Sequence, residues 1–198
     1  MELKINDIFN EFASGLVLVT AGNKDDFNTM TIGWGTLGTL WSKSICNVYV
    51  KKNRYTHEFM DNNEYFTVSF FSEDYKTDMA ILGTKSGRDI DKVSLSSLTP
   101  IKEDKYVYFK EAKYTLLLKK IYFHDFDINK IPKETKDQYY TDEPAHTMYV
   151  GEIPISTTNE PLYSSCRVNI PDGIYALYFE FVGANNISFY EFEICTND

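Results

Sequence analysis

What most constrains this chain is a series of short apolar segments, rich in aromatic and β-branched residues and separated by turn chemistry. "GLVLVTAG" (15–22) is continuously apolar, as a strand covered on both faces must be. "SICNVYVK" (44–51) and "HTMYVGEI" (146–153) have strand composition, and in "EYFTVSFF" (64–71) Phe66, Val68 and Phe70 alternate with polar partners. "TMTIGWGTLG" (29–38) is extended but thinned by glycine, and "YVYFKEAKYTLLLKKIYFHDF" (106–126) is long enough for two strands. Fifteen Tyr and fourteen Phe in 198 residues suit pleated, half-buried surfaces better than a helical bundle.

Helices interrupt the strands without dominating them. Ile5, Ile8, Phe9 and Phe12 predict a short amphipathic helix over 4–13. "YTHEFMDNN" (55–63) predicts another, ended by its Asn pair. "EDYKTDMAILGTKS" (73–86) predicts a third, with Met79 and Leu82 inward and Gly83 as its stop. "INKIPKETKDQYY" (128–140) predicts a short helical crossover. "NKDDFN" (23–28) is a turn by composition, and 86–100 is loop with a short helical turn. The pattern predicts a mainly β protein, a barrel decorated with a few short helices.

At about Ser156 the texture changes. "STTNEPLYSS" (156–165) reads as a linker, and "IYALYFEFVGANNISFYEFEI" (174–194) as two alternating strands joined at "GANN". The division is therefore a main domain over 1–155 and a β-hairpin extension over 156–198. Covering the barrel or a partner subunit is the favoured role of that extension, and a sugar site the lesser alternative.

Charge narrows the partners. With net charge −9 and a pI near 4.9, the chain lacks the basic surface that binds nucleic acid or an anionic membrane. The first residues, "MELKINDIFNEF", are charged and amphipathic without an apolar leader core, which predicts a cytoplasmic protein. Cys46, Cys166 and Cys195 are scattered, with no CxxC, and read as isolated thiols. Three dispersed histidines give no metal spacing. His57 and His124 read as structural or exposed, and Asp125 and Asp127, alternating on a strand, as a solvated edge in preference to a ligand pair.

Against this acidic background, "VYVKKNRYTHEF" (48–59) gathers Lys51, Lys52 and Arg54 just before a predicted helix start. Unpaired N–H groups and the helix dipole make such a start attractive to anions. Thr56 either caps the helix or offers its hydroxyl to the ligand, and Arg54 can grip a phosphate through two parallel hydrogen bonds. The bland alternative, a solvated strand end, is equally open for this stretch alone. A second basic corner, "GTKSGRDIDK" (83–92), sets Lys85, Arg88 and Lys92 around Ser86 and Gly87, either as an anion nest or as an ordinary exposed helix end. The pair suits a phosphorylated cofactor better than either does alone.

"GWGTLG" (33–38) matches G-x-G-x-x-G, but no helix opens at its third glycine and position 53 is Asn, so a dinucleotide loop is not supported. Glycines there instead mark close approach by something flat or by another backbone. With Trp34 and neighbouring Thr residues, the strand offers a ledge for a planar heterocycle. A flat ring bearing a phosphate describes FMN.

At these residues the chain resembles the flavin reductase-like proteins, a group that includes the flavoredoxins. "NTMTIGWG", "VYVKKNRYTHEF", "EYFTVSFF", "GTKSGRDIDK" and "HTMYVGEI" occur in that group's order, over roughly 8–155. The resemblance implies an FMN-binding, antiparallel Greek-key split barrel, and a homodimer with FMN near the subunit interface. It puts Met30, Thr31, Ile32 and Trp34 along the flavin ring. Lys51, Asn53, Arg54 and Thr56 fall on the phosphate side, with Ser86, Gly87 and Arg88 closing over the cofactor. Lys51 and Lys52 stand where many relatives have Arg and Pro, a looser loop. The implied activity is NAD(P)H-dependent flavin reduction, with NADH or NADPH as transient donor. The rivals are a flavoredoxin-type electron carrier serving a protein acceptor, and a binding module on a relic barrel. His146 is the candidate polar group at the reacting end, either toward flavin and nicotinamide or as a backbone-bonded structural histidine.

Overall fold

In a computed structural model, which describes residues 10–154, the apolar segments become the strands of one antiparallel sheet. β1 (Val17–Gly22) is buried along its whole length, as its unbroken apolar run demands. It pairs with β2 (Phe27–Ile32) across the Asn23–Asp26 turn, where the Asn23 side chain accepts the Asp25 N–H at 2.9 Å. β3 (Gly35–Leu40) and β4 (Lys43–Lys51) form a second hairpin through Trp41 and Ser42, both at positive φ (52° and 59°). β5 (Tyr65–Phe70), β8 (Tyr114–Asp125) and β9 (His146–Glu152) complete the order β2-β1-β5-β8-β9-β4-β3. β6 (Pro100–Lys102) and β7 (Val107–Phe109) make a small separate hairpin.

The non-consecutive pairings of β1 with β5 and β4 with β9 are of Greek-key type. β2 and β3 remain the unpaired edges, yet β2 packs against β4. The sheet curls nearly shut without closing, the split barrel the sequence predicts. Its inside is filled by Val17, Val19, Val48, Phe66, Val68, Phe70, Leu118 and Tyr149. Cys46 joins them, and burial pushes its thiol up to about 12, so it is inert filler as expected. Cys166, Cys195 and the predicted hairpin over 174–194 lie outside the described residues.

Besides a helical turn at 10–13, three helices decorate the barrel among the described residues: α1 (Tyr55–Asn62), α2 (Lys76–Thr84) and α3 (Lys133–Tyr139). The Asn pair ends α1 as predicted, both the backbone and the side-chain amide of Asn63 donating to the Phe59 carbonyl. Met79 and Leu82 of α2 are buried with Leu16, Leu18, Phe71, Leu98 and Phe109 in a second cluster outside the barrel. Gly83 is not the stop: α2 continues through Thr84 and Lys85 leaves it extended. A Cβ on Gly83 would sit 3.2 Å from the Thr31 side chain, so this glycine serves the close packing of α2 on β2. The amphipathic segment at the N-terminus is helical over 10–13, with Phe12 in the core; its earlier residues lie outside the description. No helix among the described residues is long and apolar enough to cross a membrane.

Gly35 settles the glycine pattern in "GWGTLG". No helix opens there, and a Cβ on Gly35 would lie 2.1 Å from the Phe12 ring. At Gly35 the flat partner is the Phe12 ring of the core, whereas Gly33 and Gly38 have no such close neighbour.

Candidate functional site

β2 ends at Ile32, and Gly33 and Trp34 lead into β3. β4 ends at Lys51, which pairs in register with His146, the first residue of β9. The curl that brings β2 to β4 therefore sets the ledge of Met30, Thr31, Ile32 and Trp34 opposite Lys51, Arg54 and His146. Together with Gly33, Tyr49 and Tyr139 they line one open cleft of about 250 Å³.

The ledge divides its tasks. Ile32 is buried and Met30 packs half-buried on the core. The Thr31 hydroxyl donates to the Met79 carbonyl of α2 at 2.6 Å, which pins β2 to that helix. Trp34 is exposed, its ring edge-on to Tyr139 (5.2 Å) and tilted on His146 (4.9 Å).

On the opposite wall, Arg54 is the N-cap residue of α1. Its guanidinium has no hydrogen-bond or ion-pair partner among the described residues. Beside it, Lys51 reaches the Tyr139 carbonyl (3.4 Å) and the Glu143 carboxylate (3.5 Å). Lys52, the third cation of the corner, is committed elsewhere in an ion pair with Asp125. The two expected cleft cations are thus Lys51 and Arg54. Asn53 stands next to them, its amide donating to Glu143 at 2.8 Å.

His146 is buried, with Nδ1 bonded to the Tyr140 hydroxyl at 2.8 Å. Burial first, then the charges of Lys51 and Arg54, lower its pKa to about 4. The ring is therefore neutral near pH 7 and neither accepts nor holds an extra proton there. Its structural partner is a side chain rather than the backbone. His57 is structural as predicted, bonded to Thr147 (2.9 Å) and close to Asp61 (3.2 Å).

Thr56 differs from its expected place. It lies one residue inside α1 instead of at the cap, is buried, and accepts from Asn28 Nδ2 at 2.7 Å. Its hydroxyl is thereby taken into the packing of β2 on α1 and does not line the cleft. Ser86, Gly87 and Arg88 also stand apart from it. Arg88 pairs with Glu58, covers the Tyr55 ring (4.9 Å) and donates to the Asn53 carbonyl (3.3 Å). Ser86 Oγ accepts the Arg88 N–H at 3.2 Å. A Cβ on Gly87 would meet Asn28 Oδ1 at 2.3 Å, so only glycine lets this loop lie on β2. The two basic corners do meet, but the second braces the first from behind. Glu58, one turn into α1, offers Arg88 a closer anion than anything in the cleft.

Lys92 is consumed as well. It is 4% exposed and donates to the Leu82 (2.8 Å) and Lys85 (3.1 Å) carbonyls at the end of α2, which ties the second loop down. Burial and, less, Arg54 lower it to about 8. A second cavity, about 300 Å³, opens beside it, but Asp25, Asp26 and Asp91 on its wall oppose a phosphate.

Sequence reasoning missed Tyr49, Tyr139, Tyr140 and Glu143. The "QYY" run could have flagged the tyrosines as aromatic residues in an otherwise polar segment. Nothing local marks Glu143, one acid among many.

A curled sheet with its second strand facing a cationic helix start across a cleft defines a class, the split barrels of flavin reductase type. The chain belongs to that family: the flavin reductase like domain matches residues 9–154. A flavoredoxin from Methanosarcina acetivorans is similar in structure at 23% identity and TM-score 0.54, over 69% of this chain and 64% of that one. Flavoredoxin of Desulfovibrio vulgaris is similar at 25% identity and TM-score 0.53, over 70% and 66% of the two chains. An NADH:FAD oxidoreductase of Streptomyces globisporus is 16% identical with TM-score 0.55, over 76% and 78%. This chain spans somewhat less than two thirds of the archaeal flavoredoxin's length. No curated protein matches the sequence.

Proposed function

We propose that the protein binds FMN in the cleft between β2 and the start of α1, and acts as an NAD(P)H-dependent flavin reductase. The observation that carries this is the Arg54 guanidinium, unpartnered among the described residues, across from a ledge ended by an exposed Trp34. A phosphate satisfies Arg54 and Lys51, and Asn53 adds an amide donor. Met30, Ile32 and Trp34 supply apolar surface for a ring, and the Gly33 backbone its edge contacts. When bound, FMN supplies the hydride chemistry, taking a hydride from NADH or NADPH. The chain's part is to hold and orient the ring, keep charge on the phosphate side, and present a neutral His146 at the ring end.

A cleft of about 250 Å³ falls below the roughly 300–1,000 Å³ of pockets that enclose a ligand of this size. In the proposed homodimer a second copy would close the open side of this cleft. Edge strand β3 agrees with this: Leu37 and the turn residue Trp41 are exposed, Trp41 at 64%. In the proposed dimer a partner surface on this edge would bury the Trp41 indole.

The absorption spectrum before and after anaerobic NADH or NADPH tests the reading. Flavin bands bleached by either donor are expected. A flavin-loaded protein that neither donor reduces leaves the flavoredoxin-type carrier as the function, and a colourless protein with no affinity for FMN removes both.

A further inference from the structure

From the end of α3 the chain turns back over the cleft, where Tyr139, Tyr140 and Glu143 each contact a residue of the site. The Tyr139 ring lies on Trp34, and its carbonyl takes the Lys51 ammonium. The Tyr140 hydroxyl meets His146 Nδ1. Glu143 Oε2 accepts from Asn53 Nδ2 at 2.8 Å and lies 3.5 Å from Lys51 Nζ. The Asn53 hydrogen bond, then the charge of Lys51, hold the Glu143 carboxyl below its ordinary range, with Arg54 adding to the same effect. An ionised carboxylate therefore already rests on the groups that a phosphate needs.

A carboxylate and a phosphate cannot share these donors. Each takes the Lys51 ammonium and the Asn53 amide, and at close range the two anions repel. From this geometry we propose that Glu143 is a specificity-determining residue, an internal anion that the ligand's phosphate must displace before the cleft closes on it. The inference rests on the flavin reading above and deepens it. Part of the phosphate's binding energy goes into expelling Glu143, so flavin is held as an exchangeable ligand instead of a permanent one. A flavin without phosphate has no need to move it. Glu143 thus narrows the gap between FMN and riboflavin that Lys51 and Arg54 would otherwise open.

Glu143→Gln tests this, because the amide keeps the shape and the acceptor for Asn53 and removes only the charge. Affinity and dissociation rate for FMN and for riboflavin are measured by flavin fluorescence in the full chain. The expected result is FMN binding roughly three- to fivefold tighter in the variant, the order of one exposed, solvent-screened charge pair. Release slows, and riboflavin changes less than about twofold. Asp104→Asn, the same charge change at an exposed site outside the cleft, is expected to leave both ligands unaffected. Weaker or unchanged FMN binding in Glu143→Gln would overturn the proposal, since a merely orienting Glu143 predicts that. Equal tightening of riboflavin, or of FMN by Asp104→Asn, would overturn it too. A wild-type protein that binds FMN keeps the flavin reading alive in each of those outcomes; failure of every variant to bind either flavin ends both.

Discussion

His146 shows how one residue's surroundings fix its chemistry. Its ring is packed against Trp34 and Tyr140 with Lys51 and Arg54 nearby, so a proton is unwelcome. Unfolded, the imidazole protonates near 6.5; folded, near 4. Between those values the unfolded chain binds more protons, so stability falls as pH drops through the window, and nothing is lost above it. Urea unfolding at pH 7 and pH 4 is expected to show this as roughly 3 kcal/mol of acid destabilisation that His146→Gln lacks. Equal acid sensitivity in the two proteins would mean that the histidine is solvated. The candidate residues were legible as types but not as partners. Lys51, Lys52 and Arg54 announce a cationic corner, yet only folding shows that Lys52 turns to Asp125 while Arg54 stays open. Thr56 reads as a cap because its type suits one; its burial against Asn28 comes from a strand 28 positions away.

At the scale of elements, the strands were legible for different reasons: β1 as a continuous apolar run buried on both faces, β5 from its alternation, and β4 and β9 from their strand composition. Gly83 was misread because a helix-stop glycine and a helix-packing glycine look alike in sequence; the Thr31 contact that distinguishes them spans two elements. Gly35 belongs with it. Gly35→Ala would push into the Phe12 ring at the heart of the barrel and is expected to destabilise the fold by about 1–3 kcal/mol. Thermal unfolding checks this, and an unchanged Tm would show that Phe12 has room to move. α3 was legible as a helix from "INKIPKETKDQYY", but its place over the cleft was not. That depends on Tyr139 and Tyr140 finding Trp34 and His146.

In the whole molecule, the curl of the sheet is what turns two distant sequence features into one site. Strand order brings β2 against β4, and the Lys51–His146 register row does the rest. The same curl leaves β3 as an open edge and the cleft open on one side, the two features that the proposed homodimer would cover. Light scattering on the full chain is expected to give twice its 23.0 kDa, with Trp41→Glu shifting it toward a single protomer. A wild-type monomer at micromolar concentration would leave the cleft without its second wall.

The most direct test of the account is a fluorescence titration of FMN and riboflavin into wild-type protein and Arg54→Ala. Saturable quenching is predicted, with FMN bound more tightly than riboflavin. Arg54→Ala should cost FMN about 1.5–3 kcal/mol and riboflavin little. Equal affinity for the two flavins in wild type, or an FMN affinity untouched by the substitution, would contradict a phosphate held at this helix start.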